Sequence, residues 1–456
     1  MTNILSTIGP ATENFSNLKK IVRYSKFIRL NGAHNSLNWH KKICSQIKKI
    51  NPNCKILIDL PGIKPRTLNS QNELINKNEI VLFYFGKKKK NKKIKQIPIS
   101  KPLPKFNKPK YFSVSDGKFF FQFISKGKNY IIGKSIEKFF LLKKKGLNIP
   151  YSIYDNKFQE RVYCDFFEKI KNFKFDAIGL SYVQNHNVVE KMRFKSNKII
   201  VSKIENEQGC KNLDAICSNS DIIMIDRGDL AAEIGDNNLY HQTIKISKCA
   251  KHYGKLLIMA TENLETMIFN NTPTKSEIIS LSFSKSLNAD YLMLSDETAT
   301  SKKFLRIINW LKNFNKNNEN QKLKSIVKKR DNYVSTKEIL FQNLSQINEK
   351  ENKIILFTRK GYVIEKILSI NPAIELIVFT DNQKVYDLSF LRMNSHIFKT
   401  NKFPNTLDKF IYSNIKKNKK IIFKNNKNVC LLYAAFARKD SRANTITILE
   451  ERDFRY

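Results

Sequence analysis

"VSKIENEQG" (Val201–Gly209) and "IMIDRGDLAAE" (Ile223–Glu233) decide how this chain is read. Each begins as a short aliphatic run, apolar on both faces, and ends in charge: Lys203 and Glu205 in the first, Arg227 and Asp229 in the second. Such runs predict parallel strands covered on both sides. Charge at the end of a buried strand is costly unless it is paired or metal-bound. Six further stretches look alike: "NILSTIG", "FIRLN", "KILIDL", "FDAIGLS", "LLIMAT" and "YLMLS", with helical segments between them. Eight strands with helical crossovers predict an α/β fold, a (β/α)8 barrel, whose functional groups gather where the strands end. Those ends carry Arg29 and Asn31, Asp59, Ser181, Lys203 and Glu205, Arg227 to Asp229, Thr261, and Ser295 with Glu297.

The connection from Leu60 to Phe175 is too long for a simple crossover. It holds "IVLFYFG", "KYFSVSDGKFFFQFI" and "NYIIGK", which read as antiparallel strands. The expected organisation is a discontinuous TIM barrel over 1–67 and 146–312, an inserted small β-barrel domain or lid over 68–145, and a C-terminal open α/β domain over 330–456. From Lys312 the stretch "KNFNKNNENQKLKS" reads as a linker or an exposed helix. In the last domain "KIILFT", "IELIVFT", "KKIIFK" and "VCLLYAAF" read as strands.

With 456 residues the chain exceeds one ordinary core, and 41% hydrophobic residues suffice for globular domains. No run reaches the 18 or so apolar residues of a membrane span. "MTNILSTIGP" lacks the pattern of a signal peptide, and seven cysteines without a CxxC pair suit a reducing cytoplasm. The net charge of +42 suggests nucleic acid at first sight. Yet 68 of the 82 basic residues are lysine, and Asn, Ile, Phe and Tyr are abundant. That is the profile of A- and T-rich codons, so no specific nucleic-acid partner is expected. "GKKKKNKKIKQ" (Gly86–Gln96) reads as a solvated hairpin tip.

Glu205 and Asp229, on adjacent strand ends, offer hard oxygen ligands that suit Mg²⁺ or Mn²⁺, and no Cys or His cluster favours zinc. Lys203, two residues from Glu205, faces the same side of its strand. A cation beside a divalent metal suits an enolate or a phosphoryl group in transfer.

The motifs, in order, resemble the pyruvate kinase family. "STIGP" (Ser6–Pro10) is similar to its "TIGP", and "IRLNGAH" (Ile28–His34) to "MRxNFSHG". "VSKIENEQG" and "IDRGDLAAE" resemble "xSKIENxEG" and "xARGDLGxE". "MATENLETMI", "NTPTKSE" and "LMLSDETA" resemble "TATQMLxSMI", "xPTRAE" and "VMLSGETA". "GLNIP", "VSDG" and the final "NTITILE" also fit. The resemblance implies transfer of a phosphoryl group from phosphoenolpyruvate to ADP, giving pyruvate and ATP, in a cytoplasmic homotetramer. It implies Glu205 and Asp229 as Mg²⁺ ligands, and Lys203, Thr261 and Arg29 as catalytic residues. The substrate carboxylate would meet Gly228, Asp229 and Thr261. Pro10, Asn31, His34, Arg66 and Lys145 would lie on the nucleotide side. The alternatives are a slow or inactive homologue and a cationic nucleic-acid-binding protein.

Departures from the family pattern matter. Ala33 and Leu60 replace two hydroxyl ligands of its potassium site, and Lys64 stands in place of a glutamate in "DLPGIKPR". Lys64 is therefore expected to substitute for K⁺, which would not be required. Asp226 replaces the alanine of "ARGD", Gln184 the arginine of "SFVR", and Ser280 with Phe283 interrupt "DVANA". "TDNQKV" (Thr380–Val385) puts an acid where the C-terminal phosphate loop is expected.

Overall fold

The computed structural model of the chain describes residues 2–454 apart from 88–93, 116, 318–352, 373, 393, 405–406, 425–427 and 434–444. Eight parallel strands close the barrel: β1 (Asn3–Thr7), β2 (Phe27–Asn31), β3 (Lys55–Leu60), β12 (Ala177–Leu180), β13 (Ile199–Ile204), β14 (Ile222–Asp226), β15 (Leu256–Ala260) and β16 (Tyr291–Leu294). β2 pairs with both β1 and β3, and β1 closes on β16. All eight are the runs that the sequence marks as strands.

The period of two along a strand separates two environments. Ile200, Ile204, Ile223 and Ile225 point outward into the layer shared with the helices. Ile199, Val201, Ile222, Met224, Phe27, Leu57 and Tyr291 point inward and fill the barrel. One step further along the inward faces come Arg29, Asp59, Lys203 and Asp226, so the layer above the apolar plug is charged. Local chemistry fixes the helix starts: Asn14 caps Phe15–Tyr24, and Thr274 with Glu277 forms a capping box for Lys275–Ser286. That last helix runs unbroken through Ser280 and Phe283.

Between β3 and β12 lies the inserted β domain, expected from the sequence to be a lid. It comprises β4 (Glu73–Ile75), β5 (Ile80–Tyr84), β6 (Lys95–Pro98), β7 (Tyr111–Val114), β8 (Phe119–Gly127), β9 (Tyr130–Ser135), β10 (Phe139–Leu141) and β11 (Leu147–Asn148). Six of these form one sheet in the order β11-β7-β8-β9-β5-β6, over a core of Phe83, Phe112, Phe121 and Ile131. β5 and β6 pair parallel, so the lysine-rich stretch between them joins parallel neighbours and is not a hairpin tip. Its residues 88–93 lie outside the described residues.

The C-terminal sheet has the order β19-β18-β17-β20-β21, from β17 (Lys353–Phe357), β18 (Glu375–Thr380), β19 (Ser395–Lys399), β20 (Asn428–Tyr433) and the antiparallel β21 (Thr445–Glu450). One sequence reading is corrected here. "KKIIFK" ends a helix, Asp408–Ile422, whose Ile411, Ile415 and Ile422 share its buried face. The half-buried "SHIFK" (Ser395–Lys399), not marked in the sequence reading, supplies a strand of this sheet instead. Lys312 to Asn317 finish a helix, Phe304–Asn317, and the rest of the expected linker is not described.

This sheet's domain closes the strand-start end of the barrel. The Leu391 side chain joins the barrel's interior cluster, and its carbonyl accepts the Tyr291 hydroxyl at 2.7 Å. Lys55 pairs with Asp387 at 2.5 Å, Lys384 with Asp221 at 2.8 Å, and Lys255 with Glu365 at 2.8 Å. "TDNQKV" is thus engaged in packing: Asp381 pairs with Arg359, Asn382 caps a helix, and Lys384 reaches the barrel. Leu391→Ala should destabilise the protein by about 2–5 kcal/mol through the cavity it leaves, read as a lower urea midpoint.

Candidate active site in the barrel mouth

The mouth is organised around the ammonium of Lys203. It lies 2.7 Å from Glu205 Oε1, 3.3 Å from Asp226 Oδ2 and 3.6 Å from Asp59 Oδ2. Arg29 donates from Nε to Asp59 Oδ2 at 2.8 Å and from its guanidinium to the Thr7 hydroxyl at 3.3 Å. Glu205 Oε2 accepts the Tyr182 backbone N–H at 2.5 Å. All of these groups are buried.

Burial disfavours the Lys203 ammonium, but Glu205, Asp59 and Asp226 outweigh it and hold the pKa above the ordinary lysine value. Burial likewise opposes the charge on Asp59, and Arg29 and Lys203 bring its pKa below the usual range. Glu205 goes the other way. Burial raises its pKa, Lys203 opposes, and Asp226 and Asp229 add to the rise, so it is pushed up to about 8. Asp229 is only partly buried; desolvation opposes its charge, yet its ion pair with Lys64 brings its pKa down to about 2.

Lys64, expected from sequence to stand in for a monovalent cation, is buried and paired with Asp229, and its ammonium lies 5.7 Å from the centre of the Tyr182 ring. The two nearby prolines have not turned it to solvent. The Tyr182 hydroxyl donates to Asp229 at 3.1 Å and accepts from Asn148 at 3.3 Å.

Thr261 follows β15 with φ of 61°, and Glu262 follows with 50°, a conformation uncommon for residues with a Cβ. Arg227 secures this turn. Its guanidinium donates to the carbonyls of Thr261 at 2.5 Å and Glu262 at 3.1 Å, to Asn263 Oδ1 at 3.0 Å and to the Ser280 hydroxyl at 2.5 Å. The Thr261 hydroxyl accepts the Gly228 N–H at 3.0 Å. Gly228 and Asp229 lie in the first turn of the helix Arg227–Ile234.

The expected nucleotide side is looser. Asn31 Oδ1 accepts the Ala33 N–H at 3.1 Å. Burial, then Arg66 and Arg29, lower the pKa of His34, so its imidazole is neutral at pH 7. Arg66 donates to the Lys144 carbonyl at 3.2 Å. The Lys145 carbonyl accepts the Thr67 N–H at 2.8 Å and its N–H donates to the Thr67 hydroxyl at 3.1 Å, and Pro10 is exposed in the turn after β1.

Three features escaped the sequence reading. Tyr182 is one, a side chain whose neighbours come from another strand end. Lys101 is the second: it reaches from the lid to the Gly62 carbonyl, and burial with Arg66 nearby lowers its pKa to about 8. Gly179 is the third, since a Cβ there would come within 2.1 Å of Asp59 Oδ1. Gln184, by contrast, is a buried brace that bonds both the N–H and the carbonyl of Tyr154.

One carboxylate oxygen each from Glu205, Asp226 and Asp229 lie within 4.8 Å of one another, a donor set fit for a hard divalent cation. Among the described residues no helix is long and apolar enough to cross a membrane.

A family model for the pyruvate kinase barrel domain matches residues 1–304. The chain is 28% identical to a pyruvate kinase of Methanocaldococcus jannaschii and 30% identical to one of Buchnera aphidicola, in both cases over 66% of either chain, just under two thirds of those relatives' length. It is 27% identical to a pyruvate kinase of Thermotoga maritima over 98% of this chain and 99% of that one. Crystal structures of pyruvate kinases from Cryptosporidium parvum and Pyrobaculum aerophilum share the fold, with TM-scores of 0.79 and 0.76 at 23% and 18% identity. They cover 98% of this chain in each case, and 96% and 98% of their own.

A cation between Glu205 and Asp229 must displace the proton that Glu205 retains up to about pH 8. Mg²⁺ affinity measured by calorimetry should therefore rise with pH between 6 and 8, by about tenfold per unit for one released proton. It should level off above pH 8.

Proposed function

The chain belongs to the pyruvate kinase family, and we propose that its barrel mouth transfers the phosphoryl group of phosphoenolpyruvate to ADP, giving pyruvate and ATP. The observation that carries this reading is the Lys203 ammonium, buried and kept charged by three carboxylates where β13, β14 and β3 end. A preorganised cation in a dry site stabilises negative charge on a transferring phosphoryl group or an enolate oxygen far better than one in water.

The other roles follow from position. Glu205 and Asp229 would hold Mg²⁺ or Mn²⁺, which when bound supplies Lewis-acid charge to the substrate oxygens. Arg29 and Arg66 would contact phosphates. The N–H groups of Gly228 and Asp229, at the start of a helix, would receive the substrate carboxylate together with Thr261. The Thr261 hydroxyl would lie on the route by which a proton reaches the enolate carbon. Pro10, Asn31, His34 and Lys145 would border the nucleotide. The lid, tied to the barrel at Thr67 and Lys145, would exclude water from the loaded site. Family likeness alone supports a cytoplasmic homotetramer without a specific nucleic-acid partner.

Lys64 would take the place of a monovalent cation. It brings one positive charge to Asp229 with no ion to dehydrate, while Ala33 and Leu60 offer no hydroxyl to hold one.

Two measurements test this reading. Pyruvate formation from phosphoenolpyruvate and ADP should fall about 10²–10³-fold in Lys203→Met, the scale for losing one preorganised charge-stabilising group; an unchanged rate would refute the assignment. The wild-type rate should persist in potassium-free buffer with a bulky inert cation. Activity lost there and restored by K⁺ would exclude Lys64 from the cation role.

A further inference from the structure

Asp226 is the residue that this chain adds to the mouth, where the family pattern has alanine. It ends β14 on the inward face, two residues beyond Met224, and is buried. Its two oxygens face different partners. Oδ1 accepts from the Thr261 hydroxyl at 3.2 Å, and Oδ2 lies 3.3 Å from the Lys203 ammonium. Lys203 and Thr261 come from different strands, β13 and the end of β15, and Asp226 on the strand between them touches both.

The Thr261 hydroxyl has one proton and two acceptors within reach: Asp226 Oδ1, and the carbonyl of Ala260 at 2.7 Å. Its oxygen is already engaged by the Gly228 N–H. Without Asp226, the Ala260 carbonyl would be the acceptor that remains, and the hydroxyl would turn back along its own backbone.

We propose that Asp226 is a positioning residue that couples the two halves of the reaction: one oxygen sets the Thr261 hydroxyl, the other sets the Lys203 ammonium. This rests on the function proposed above. In the first half, the P–O bond to the enolate oxygen breaks, its electron pair stays on that oxygen, and a P–O bond to the terminal oxygen of ADP forms beside Lys203. In the second, the enolate carbon takes one proton, delivered from solvent along the Thr261 hydroxyl. Asp226 touches neither the phosphoryl group nor the carbon.

The competing role for Asp226 is that of a third metal ligand, since one of its oxygens lies near those of Glu205 and Asp229. Two variants of the full chain separate the roles. Three quantities are measured: kcat and KM for phosphoenolpyruvate, the half-saturating Mg²⁺ concentration, and the exchange of pyruvate methyl hydrogens with deuterium in D₂O followed by NMR. The exchange needs neither phosphoenolpyruvate nor ADP, so it reads the proton route by itself.

In Asp226→Ala both kcat and the exchange rate should fall about tenfold or more, the lower range for a misplaced proton-transfer group. KM and the Mg²⁺ requirement should move less than about threefold, since uniform substrate binding is untouched. Asp226→Asn keeps an oxygen for the Thr261 hydroxyl but removes the charge beside Lys203. Its exchange should stay within about threefold of wild type while kcat falls about tenfold. A role in folding alone would not divide the two readouts in this way.

The inference is overturned if Asp226→Ala retains both kcat and exchange within about twofold of wild type. It is also overturned if a raised half-saturating Mg²⁺ concentration is the only change, which would make Asp226 a metal ligand. A wild-type chain that forms no pyruvate from phosphoenolpyruvate would instead refute the proposed function, and the exchange comparison would still decide the role of Asp226.

Discussion

Charge balance above an apolar plug is the constraint on which the rest of this molecule depends. The carboxylates of Asp59, Glu205, Asp226 and Asp229 share the mouth with the cations of Arg29, Lys64 and Lys203. Four acids against three bases leave one negative charge in a place that water barely reaches, and the raised pKa of Glu205 means that a proton resolves it. A divalent cation would supply that charge instead, and an anionic substrate would then find a positive site. The barrel makes this possible because β2, β3, β13 and β14 each contribute apolar residues below and one charged residue above on the same inward face.

The lid and the mouth are mechanically connected. Arg66 bridges to Gly146, Thr67 bonds Lys145, and Lys101 of the lid holds the carbonyl of Gly62. Gly62 lies two residues before Lys64, which pairs with Asp229. The loop after β3 therefore ties the lid's base to one of the carboxylates that would bind metal. At the opposite end, the C-terminal domain seals the barrel with Leu391 and three ion pairs, each on or beside a strand start. The lysines used there show where part of the large positive charge goes, since several are spent on joining domains.

Much of this was legible in the chain. Eight aliphatic runs with polar or charged ends named the barrel strands, and the same ends named Lys203, Glu205, Asp229, Thr261 and Arg29. Strand periodicity is local, and a buried charge is conspicuous in an apolar run. Less legible was the C-terminal domain. There "KKIIFK" resembles a strand by composition, and only its register with Ile411 and Ile415 shows the helix. The parallel pairing of β5 and β6 was hidden because a hairpin and a longer connection differ in where the strands return, which no short stretch records.

The sequence by itself determined the elements, the inward alternation and the chemical types at the mouth, because these depend on the spacing of neighbours along one strand. Tertiary structure alone decided the partnerships. Lys64 could have faced solvent, but closure of the barrel places it on Asp229, 165 positions away in the chain. Asp226 could have been a harmless surface change, but β14 lies between β13 and β15, so its carboxylate falls between Lys203 and Thr261. Gly179 gained its meaning only when β12 came to lie beside Asp59. Distances across a barrel are fixed by strand order and register, and the pKa values of buried groups follow from those distances.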